Sequence, residues 1–373
     1  MYFRLNPESL LIVGENGSII CDAFTNKIYH LNTYETNLIV NAENNKEISL
    51  DKNIYHTLRD ECLGNFYENI PYIQKVRLGS FYQSDKKFSF NKFFLELTDK
   101  CEFNCSCCGF KTQHKRSRGC LVCNVFNENG DYISFDDFCD IIDTISILGC
   151  EELYFTGGDL SLDFNFSKAL IKYAQNKIHN IFVILNYNHN FNEFLDLIND
   201  NTNLILQIDL EQLNSNLLIN EHIHYLVVVP EGADEFFYEK VLSLKLNCIP
   251  DFLSKNLMIN PNLNNNYEFN LNSFFHNLEF HPCLGKTLFI SSKGNVYPCP
   301  MFRLDKWGNI KNISLLDFLD KHKNRIYDFW MLNLDNIEKC KSCEFRYLCS
   351  DCRALEMEFS NESLKKKLCH FNE

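Results

Sequence analysis

The middle of the chain alternates short apolar runs with longer amphipathic ones. Between residues 93 and 260 the apolar runs are FFLELT, ELYFTGGD, IFVILNY, LILQIDL, YLVVVP and CIPDFL. The stretches between them have the spacing of helices and include SFDDFCDIIDTISILG, FSKALIKYAQNKI, FNEFLDLIND and DEFFYEKVLSLKL. Ser134 and Asp137 predict a capping box at the first of these helices. About six β/α units predict a parallel sheet covered by helices, with its functional site at the carboxyl ends of the strands.

The first 68 residues have a different order of elements. Three short strands are predicted, separated by turns, in SLLIVG, GSIICD and KIYHL. Two helices are predicted after them, in TYETNLIV and in a stretch that begins near Leu50. Thr33 is the expected N-cap of the first helix, with Glu35 in its first turn. Three strands followed by helices indicate a small winged-helix-like domain, and residues 69–92 are predicted to be a linker.

Composition and charge narrow the classes of function. The chain has 373 residues, 36 basic and 49 acidic, and a net charge of −13. Because phosphate backbones are bound by an excess of basic residues, no nucleic acid is expected as a partner. No apolar run approaches the ~18–20 residues that span a membrane, and the N-terminus lacks the features of a signal peptide. A cytoplasmic protein with no membrane partner is therefore expected.

Eighteen cysteines are unusual for such a protein. Disulfides are rare in a reducing compartment, so metal binding or redox chemistry is the leading explanation. Isolated cysteines are instead expected to be small buried apolar residues, namely Cys21, Cys62, Cys139, Cys150 and Cys248.

Three clustered cysteines follow the first strand of the middle region. In LTDKCEFNCSCCGF, Cys101, Cys105 and Cys108 have Cys-x3-Cys-x2-Cys spacing. Four cysteines normally hold an iron–sulfur cluster, so three thiolates leave one iron open. This motif resembles the signature of radical S-adenosylmethionine (radical SAM) enzymes. The resemblance implies a partial (β/α)6 TIM-like barrel over residues 93–260 and a [4Fe–4S] cluster whose open iron chelates SAM. It also implies reductive cleavage of SAM to a 5′-deoxyadenosyl radical that abstracts hydrogen from a substrate.

The resemblance extends to residues expected to contact SAM. Gly157, Gly158 and Asp159 stand where the family has Gly-Gly-Glu, which contacts the methionyl ammonium. Gln207 and Asp209, in QIDLE, correspond to a segment that touches the ribose or carboxylate of SAM. Three positions depart from the family pattern. Asp159 replaces glutamate, Gln207 stands where serine is frequent, and Cys107 stands where an aromatic residue is usual. Cys107 is either a packing residue or a substitute ligand, and a structural zinc knuckle is the alternative for the whole loop.

A second set of cysteines lies in residues 261–373, after the asparagine-rich NPNLNNNYEFN. Cys283 and Cys299 flank Gly294 with Cys-x10-Gly-x4-Cys spacing around a predicted β-hairpin, TLFISSKGNVYPC. The run CKSCEFRYLCSDC and Cys369 follow. This order of seven cysteines resembles the SPASM domain, the auxiliary-cluster extension of peptide-modifying radical SAM enzymes. The run ends in Cys-x2-Cys, where Cys-x3-Cys is commoner.

The SPASM resemblance implies two auxiliary [4Fe–4S] clusters. One would be held by Cys340, Cys343, Cys349 and Cys369, and the other by Cys283, Cys299 and Cys352. The second set has three members, so it has either an open iron or a fourth ligand from elsewhere. Two zinc-ribbon knobs are the structural alternative, which seven cysteines suit poorly.

An insert after the first cysteine loop contains Cys120 and Cys123 and several basic residues. The two cysteines are expected to pack or stay free, with a missing ligand or a redox pair as alternatives. The basic side chains form either a solvated face or a contact for an acidic peptide or for the carboxylate of SAM, and they are Lys111, Lys115, Arg116 and Arg118.

The N-terminal region resembles the RiPP recognition element, the winged-helix domain that binds leader peptides of ribosomally made precursors. Its sequence GSIICDAFTNKIYHLN carries the resemblance. The expected binding mode is β-augmentation, in which a peptide adds to an exposed strand edge. The composition also resembles peptide maturases with ATP-grasp partners.

Three hypotheses for function follow. The first is a radical SAM/SPASM oxidoreductase that cross-links or otherwise functionalises C–H bonds of a precursor peptide, with flavodoxin or ferredoxin as electron donor. The second is an inactive carrier that keeps clusters or zinc for shape and only binds the leader peptide. The third is a maturase that oxidises a protein side chain, as in sulfatase maturation. The sequence names no catalytic acid or base.

Overall fold

The computed structural model describes residues 1–77, 88–105, 108–109, 112, 115–244, 246–253, 269–360 and 369. The chain folds into two compact units. The first unit consists of Met1–Asp85, Asn262–Gly285 and Met331–Glu373, and the second of Lys86–Pro261 and Lys286–Trp330. The cysteine-rich C-terminal region therefore contributes to both units.

The first unit contains strands β1 to β5 and helices α1, α2, α6 and α9. Its strands are Tyr2–Leu5 (β1), Ser9–Val13 (β2), Gly17–Asp22 (β3), Ile28–Asn32 (β4) and Gly64–Tyr67 (β5). Its helices are Thr33–Glu43 (α1), Asn53–Asp60 (α2), Leu271–Glu279 (α6) and Arg353–Ser360 (α9).

The second unit contains strands β6 to β14 and helices α3, α4, α5, α7 and α8. Its strands are Lys92–Thr98 (β6), Glu152–Gly157 (β7), Asn180–Asn186 (β8), Thr202–Asp209 (β9), Ile223–Val229 (β10), Asn247–Phe252 (β11), Thr287–Ile290 (β12), Asn295–Tyr297 (β13) and Gly308–Asn309 (β14). Its helices are Phe135–Ile147 (α3), Phe164–Gln175 (α4), Asp234–Ser243 (α5), Leu315–Lys321 (α7) and Lys323–Trp330 (α8).

The sheet of the second unit confirms the predicted α/β class. Its order is β11-β10-β9-β8-β7-β6-β12-β13-β14, and β6 to β11 are all parallel. The six strands of the predicted β/α units are thus present and form the parallel sheet of a partial barrel. Pro250 lies in β11, an edge strand, where a residue without an N–H is tolerated. The carboxyl ends of these strands share one edge of the sheet, which is where the candidate site must be sought.

Two local predictions in the second unit had different outcomes. The capping box of α3 is confirmed, because the Ser134 side chain accepts from Asp137 N and the Asp137 side chain accepts from Ser134 N. The helix predicted in FNEFLDLIND is wrong in type, because Phe191–Leu197 forms a 3₁₀ helix. Its buried residues are Phe191, Phe194 and Leu197. This three-residue spacing matches the repeat of a 3₁₀ helix rather than the 3.6-residue repeat of an α-helix.

The first unit has the predicted winged-helix-like order at its N-terminus. Strands β2, β3 and β4 form an antiparallel sheet, followed by α1 and α2. The sequence patterns missed β1 and β5, which pair with each other. The prediction of Thr33 as the N-cap of α1 is wrong by one residue. Asn32 is the cap, with its side chain 2.9 Å from Glu35 N and its own N–H 3.0 Å from the Glu35 carboxylate.

The C-terminal segments of the first unit pack on the β2–β3 face. A buried apolar cluster joins the two parts and consists of Leu10, Ile12, Ile19, Cys21, Phe269, Phe274 and Phe345. At the end of β2, Arg346 Nη1 donates to Val13 O at 2.9 Å, and Glu15 N donates to Ser342 O at 2.7 Å. In the described parts of the chain, no helix is both long and apolar enough to cross a membrane.

Candidate functional site

A cavity lies at the carboxyl ends of the barrel strands. Cys101, Cys105 and Cys108 line it together with Gly158 and Gln207, so five predicted site residues lie around one space. The other lining residues are Phe103, Cys123, Asn124, Val125 and His189. Cys107 and Lys111 lie outside the described residues.

The glycine pair after β7 is required by a close approach of two chain segments. Gly158 N donates to Thr98 O, and Asp159 N donates to Lys100 O, each at 2.8 Å. A Cβ on Gly157 would lie 2.2 Å from Thr98 O, and one on Gly158 would lie 2.1 Å from Lys100 O. Any side chain at these positions would push the backbone segments apart. The pair therefore fixes the start of the cysteine loop against the end of β7.

Asp159 and Asp209 have different surroundings. Asp159 is buried, and its Oδ1 accepts from Ser161 N at 3.0 Å and Ser161 Oγ at 2.6 Å. Asp209 is exposed and caps the turn after β9 in a capping box with Gln212. Asp209 is not among the residues that line the cavity. Its predicted contact with SAM stays a prediction.

The insert between the cysteine loop and α3 reaches the cavity through Cys123 and Asn124. Asn124 N donates to Gly157 O at 2.7 Å, and Asn124 Oδ1 accepts from Gly109 N at 3.0 Å. Asn124 thus links the cysteine loop to the glycine pair. Its buried Nδ2 makes no hydrogen bond to the described residues. The sequence interpretation missed Asn124, although it directly follows Cys123 in the insert.

Arg116, predicted to lie on a solvated face or to contact an acidic ligand, is instead fully buried. Its Nε donates to Asp251 Oδ2 at 2.5 Å and its Nη1 donates to Gln207 Oε1 at 3.3 Å. Arg118 N also donates to Asp251, at 2.9 Å. Because Asp251 lies in β11 and Gln207 in β9, Arg116 anchors the insert to two barrel strands. The hydrogen bond from Arg116 holds the side chain of Gln207, which lines the cavity.

His189 is the other site residue that the sequence interpretation missed. It follows β8 and is buried, with its Nε2 3.8 Å from Cys101 Sγ and its Nδ1 3.3 Å from Asp159 Oδ1. Burial lowers the pKa of His189, and the nearby Asp159 carboxylate opposes that shift. The sequence contained a signal for His189, because this residue lies just past the end of a barrel strand, where functional residues of such folds are found.

The donor set that lines the cavity is that of an iron–sulfur cluster with one open iron, because three cysteines face one space. Three sulfurs surround one space, and the buried Nδ2 of Asn124 has no hydrogen bond there among the described residues. Within the described ranges, no three His, Cys, Asp or Glu side chains are placed to hold one metal ion. Burial raises the pKa of the Cys101 thiol, although the Phe103 N–H, 3.4 Å from Sγ, opposes this. Metal binding is what favours the thiolate at such a position.

In the first unit, the last predicted cysteines are near one another. Cys340 and Cys349 belong to one apolar cluster with Leu334 and Ile337. Cys343 N donates to Cys340 O at 2.9 Å. Burial raises the pKa of Cys343, and the charge of Cys369 adds to that shift. Four sulfurs expected to hold one auxiliary cluster therefore occupy one region of this unit.

Cys283 and Cys352 flank a buried polar network of the first unit. His281 Nδ1 accepts from Cys283 N at 3.0 Å, so the ring proton is assigned to Nε2, which lies 2.9 Å from Asp351 Oδ2. Asp351, next to Cys352, also accepts from Arg353 Nη2 at 2.6 Å. Cys299 belongs to the second unit. The ligand set of the second auxiliary cluster stays a prediction.

Family comparisons agree with these two cysteine regions. Residues 95–267 match the radical SAM superfamily, and residues 283–344 match the SPASM iron–sulfur cluster-binding domain. The chain therefore carries a radical SAM domain and a SPASM domain. The radical SAM/SPASM resemblance is thereby confirmed, and with it the expectation of [4Fe–4S] clusters and SAM as cofactors.

Individual relatives match smaller parts of the chain. A cysteine-type anaerobic sulfatase-maturating enzyme of Clostridium perfringens is 34% identical over 89 residues, which is 21% of this chain and 24% of that enzyme. A GTP 3′,8-cyclase of Synechocystis is 29% identical over 124 residues, which is 33% of this chain and 34% of that enzyme. The chain thus spans only a quarter to a third of the length of these curated relatives.

One solved structure matches along nearly the whole chain. It is Streptococcus suis SuiB bound to its precursor peptide SuiA, with a TM-score of 0.50 and 14% identity. The match covers 99% of this chain and 100% of that chain. At this identity the similarity shows a shared fold.

Proposed function

We propose that this protein is a radical SAM/SPASM oxidoreductase that modifies a ribosomally made precursor peptide by forming a cross-link or a related C–H functionalisation. The observation that carries the proposal is the cavity lined by Cys101, Cys105 and Cys108 at the carboxyl ends of the barrel strands. These three cysteines would hold a [4Fe–4S] cluster, which together with SAM would supply a 5′-deoxyadenosyl radical able to remove a hydrogen atom from the substrate.

The protein's own residues prepare this cavity. Gly157 and Gly158 let the cysteine loop pack directly on the end of β7. Asn124 ties that loop to the insert, and Arg116 holds Gln207 at the cavity wall. In the proposed complex, Gly157, Gly158, Asp159, Gln207 and Asp209 contact SAM.

Each proposed domain has its own role in the reaction. Residues 1–68 bind the leader peptide, 69–92 form a linker, 93–260 form the radical SAM barrel and 261–373 form the SPASM domain. One auxiliary cluster is assigned to Cys340, Cys343, Cys349 and Cys369, and the other to Cys283, Cys299 and Cys352. These clusters take up the electron released when the substrate radical closes, or bind the substrate. Flavodoxin or ferredoxin is the proposed electron donor, an ATP-grasp protein is a proposed partner, and the site of action is the cytoplasm.

The proposed leader-binding surface is the outer edge of β4. This strand pairs with β3 and lies at the edge of the three-stranded sheet. In an antiparallel ladder, pairs of residues that are hydrogen bonded to each other alternate with pairs that are not. Asp22 N donates to Lys27 O at 2.9 Å, so Asp22 and Lys27 form a hydrogen-bonded pair. Ile28 and His30 belong to the pairs without hydrogen bonds, and their backbone N–H and C=O groups therefore point away from β3. Asn32 N fits this alternation, because it donates to the Glu35 side chain. A leader strand would find its backbone partners at residues 28 and 30.

The opposite edge, β2, already has side-chain partners. Lys75 Nζ donates to Ser9 O at 3.2 Å, and Arg346 Nη1 donates to Val13 O at 2.9 Å. A peptide that paired with β2 would have to displace both cations. This difference between the two edges supports β4 as the leader site.

Proline at His30 tests the leader site. His30→Pro removes one outward N–H and leaves the ladder to β3 intact, since proline is tolerated on edge strands. We expect leader-peptide affinity, measured by fluorescence anisotropy, to fall about five- to tenfold, the value of one lost hydrogen bond. His30→Ala is the control for the lost ring, which contacts Phe345. Equal affinities of the Pro and Ala variants would contradict binding at this edge.

The reaction is tested with a precursor peptide encoded beside the gene. The anaerobically reconstituted enzyme, SAM and dithionite should yield a peptide whose mass is lower by two hydrogen atoms, in a leader-dependent manner. Unchanged peptide together with rapid SAM cleavage would contradict the proposed substrate class but not the radical SAM chemistry.

The sulfatase-maturating relative favours a second candidate, oxidation of a serine or cysteine on a larger protein. In that case the winged-helix-like domain would be dispensable. An unaltered enzyme that turns over a sulfatase-derived peptide but no leader-bearing peptide, and whose His30→Pro variant turns over the sulfatase-derived peptide equally fast, would support this candidate.

A further inference from the structure

His189 lies between a predicted cluster ligand and a buried carboxylate. Its Nε2 is 3.8 Å from Cys101 Sγ, and its Nδ1 is 3.3 Å from Asp159 Oδ1. We propose that His189 donates a hydrogen bond from Nε2 to the Cys101 thiolate of the bound cluster. The inference rests on the proposed cluster at Cys101, Cys105 and Cys108.

The chemistry of a metal-bound cysteine fixes the direction of this bond. A cysteine that ligates iron is a thiolate and carries no proton. Cys101 Sγ can then only accept, so the hydrogen between the two atoms belongs to His189 Nε2. His189 is therefore a positioning residue of the cluster rather than a ligand.

Contacts on several sides hold the ring in this orientation. His189 N donates to Asn186 O at 2.9 Å at the end of β8, and the Phe103 ring lies with its centroid 5.0 Å from that of His189. Asp159 Oδ1, on the Nδ1 side, is itself fixed by two hydrogen bonds from Ser161. The backbone hydrogen bond and the Phe103 ring keep Nε2 directed at the sulfur, while Nδ1 makes no hydrogen bond to the described residues.

Such a bond makes the cluster easier to reduce. The reduced cluster carries one more negative charge, and a donor directed at a ligating sulfur stabilises that charge.

The proton of this bond can be observed directly in the unaltered holoenzyme. The radical SAM cluster is recognised among the others because its EPR signal changes when SAM is added. Electron–nuclear double resonance of that reduced cluster should show a proton coupling that disappears in D₂O, together with a ¹⁵N coupling after ¹⁵N-histidine labelling. The Phe103 N–H, 3.4 Å from Cys101 Sγ, also supplies an exchangeable proton, so the absence of the ¹⁵N-histidine coupling in the unaltered enzyme would by itself overturn the proposal.

Variants give a second, thermodynamic readout. His189→Phe should lower the ratio of reduced to oxidised cluster about fivefold at a fixed potential, because one hydrogen bond to a charged acceptor is lost. His189→Gln retains a donor and should restore part of this loss. A potential that is unchanged in His189→Phe, with the cluster fully assembled, would overturn the proposal.

The outcomes separate this inference from the proposed function. If the unaltered chain assembles no cluster on the three cysteines, the proposed function fails. If the cluster assembles and cleaves SAM but lacks the histidine couplings, only the role of His189 fails.

Discussion

The cysteines of the barrel and those of the C-terminal segment lie in different surroundings. Cys101, Cys105 and Cys108 line a cavity, and two buried atoms that lack hydrogen bonds to the described residues, Asn124 Nδ2 and His189 Nδ1, belong to residues of the same cavity. In the first unit, Cys340 and Cys349 pack in an apolar cluster. The polar groups near the C-terminal cysteines are paired, as in the network of His281, Asp351 and Arg353.

This difference agrees with two kinds of cluster site. Buried polar groups are almost always paired, so unpaired donors beside a cavity indicate a place for a ligand. A packed region with satisfied polar groups suits a cluster that stores or passes an electron and is enclosed by protein. We therefore expect substitutions in the two regions to affect different steps.

Removal of single sulfurs should have the largest effect and tests the contrast directly. Cys101→Ala, Cys105→Ala and Cys108→Ala should each abolish 5′-deoxyadenosine formation, because no cluster is then held for SAM. Cys343→Ala should keep SAM cleavage and lose the peptide product. Liquid chromatography of both products measures the two steps. The SAM-dependent EPR signal shows whether the barrel cluster is intact in Cys343→Ala. If it is intact and SAM cleavage is nevertheless abolished, the two regions do not act in different steps.

The buried ion pair of the insert should give the next largest effect. Asp251→Asn leaves the fully buried Arg116 without its carboxylate, and breaking such a pair costs about 3–5 kcal/mol. We expect faster hydrogen exchange in β9, β11 and the insert, and weaker SAM binding because Gln207 loses its anchor.

An exposed ion pair of the same unit provides the control. Asp131→Asn removes the surface contact with Lys311 and should leave exchange in these strands unchanged. If Asp251→Asn exchanged no faster than Asp131→Asn, the insert would not be anchored through Arg116.

Sequence patterns predicted the elements well and the insert poorly. The six parallel strands and the α3 capping box follow from local periodicity and capping chemistry, which act over a few residues. The burial of Arg116 does not, because its partner Asp251 is 135 positions away in the chain. Only the folded chain brings Asn124 to the cysteines, whereas His189 was missed although it lies just past the end of a barrel strand. The type of the 3₁₀ helix at 191–197 was readable from its three-residue spacing.

The cap of α1 should give the smallest effect and sharpens the account of the winged-helix-like domain. Asn32→Ala should destabilise α1 by about 1 kcal/mol, because the capping box with Glu35 is lost. Thr33→Ala, the neighbouring control, removes only a hydrogen bond to Asn16 O and should cost less. Hydrogen exchange of the first turn of α1 measures both. A larger effect of Thr33→Ala would restore Thr33 as the functional cap.

The cavity at the ends of the barrel strands is tested most directly by SAM cleavage in the unaltered protein. Purified chain, reconstituted anaerobically with iron and sulfide, is mixed with SAM and dithionite, and 5′-deoxyadenosine is quantified. The account predicts dithionite-dependent 5′-deoxyadenosine that is absent from the Cys105→Ala protein treated identically. Tightly bound zinc at the three cysteines, with no 5′-deoxyadenosine above the Cys105→Ala background, would contradict it.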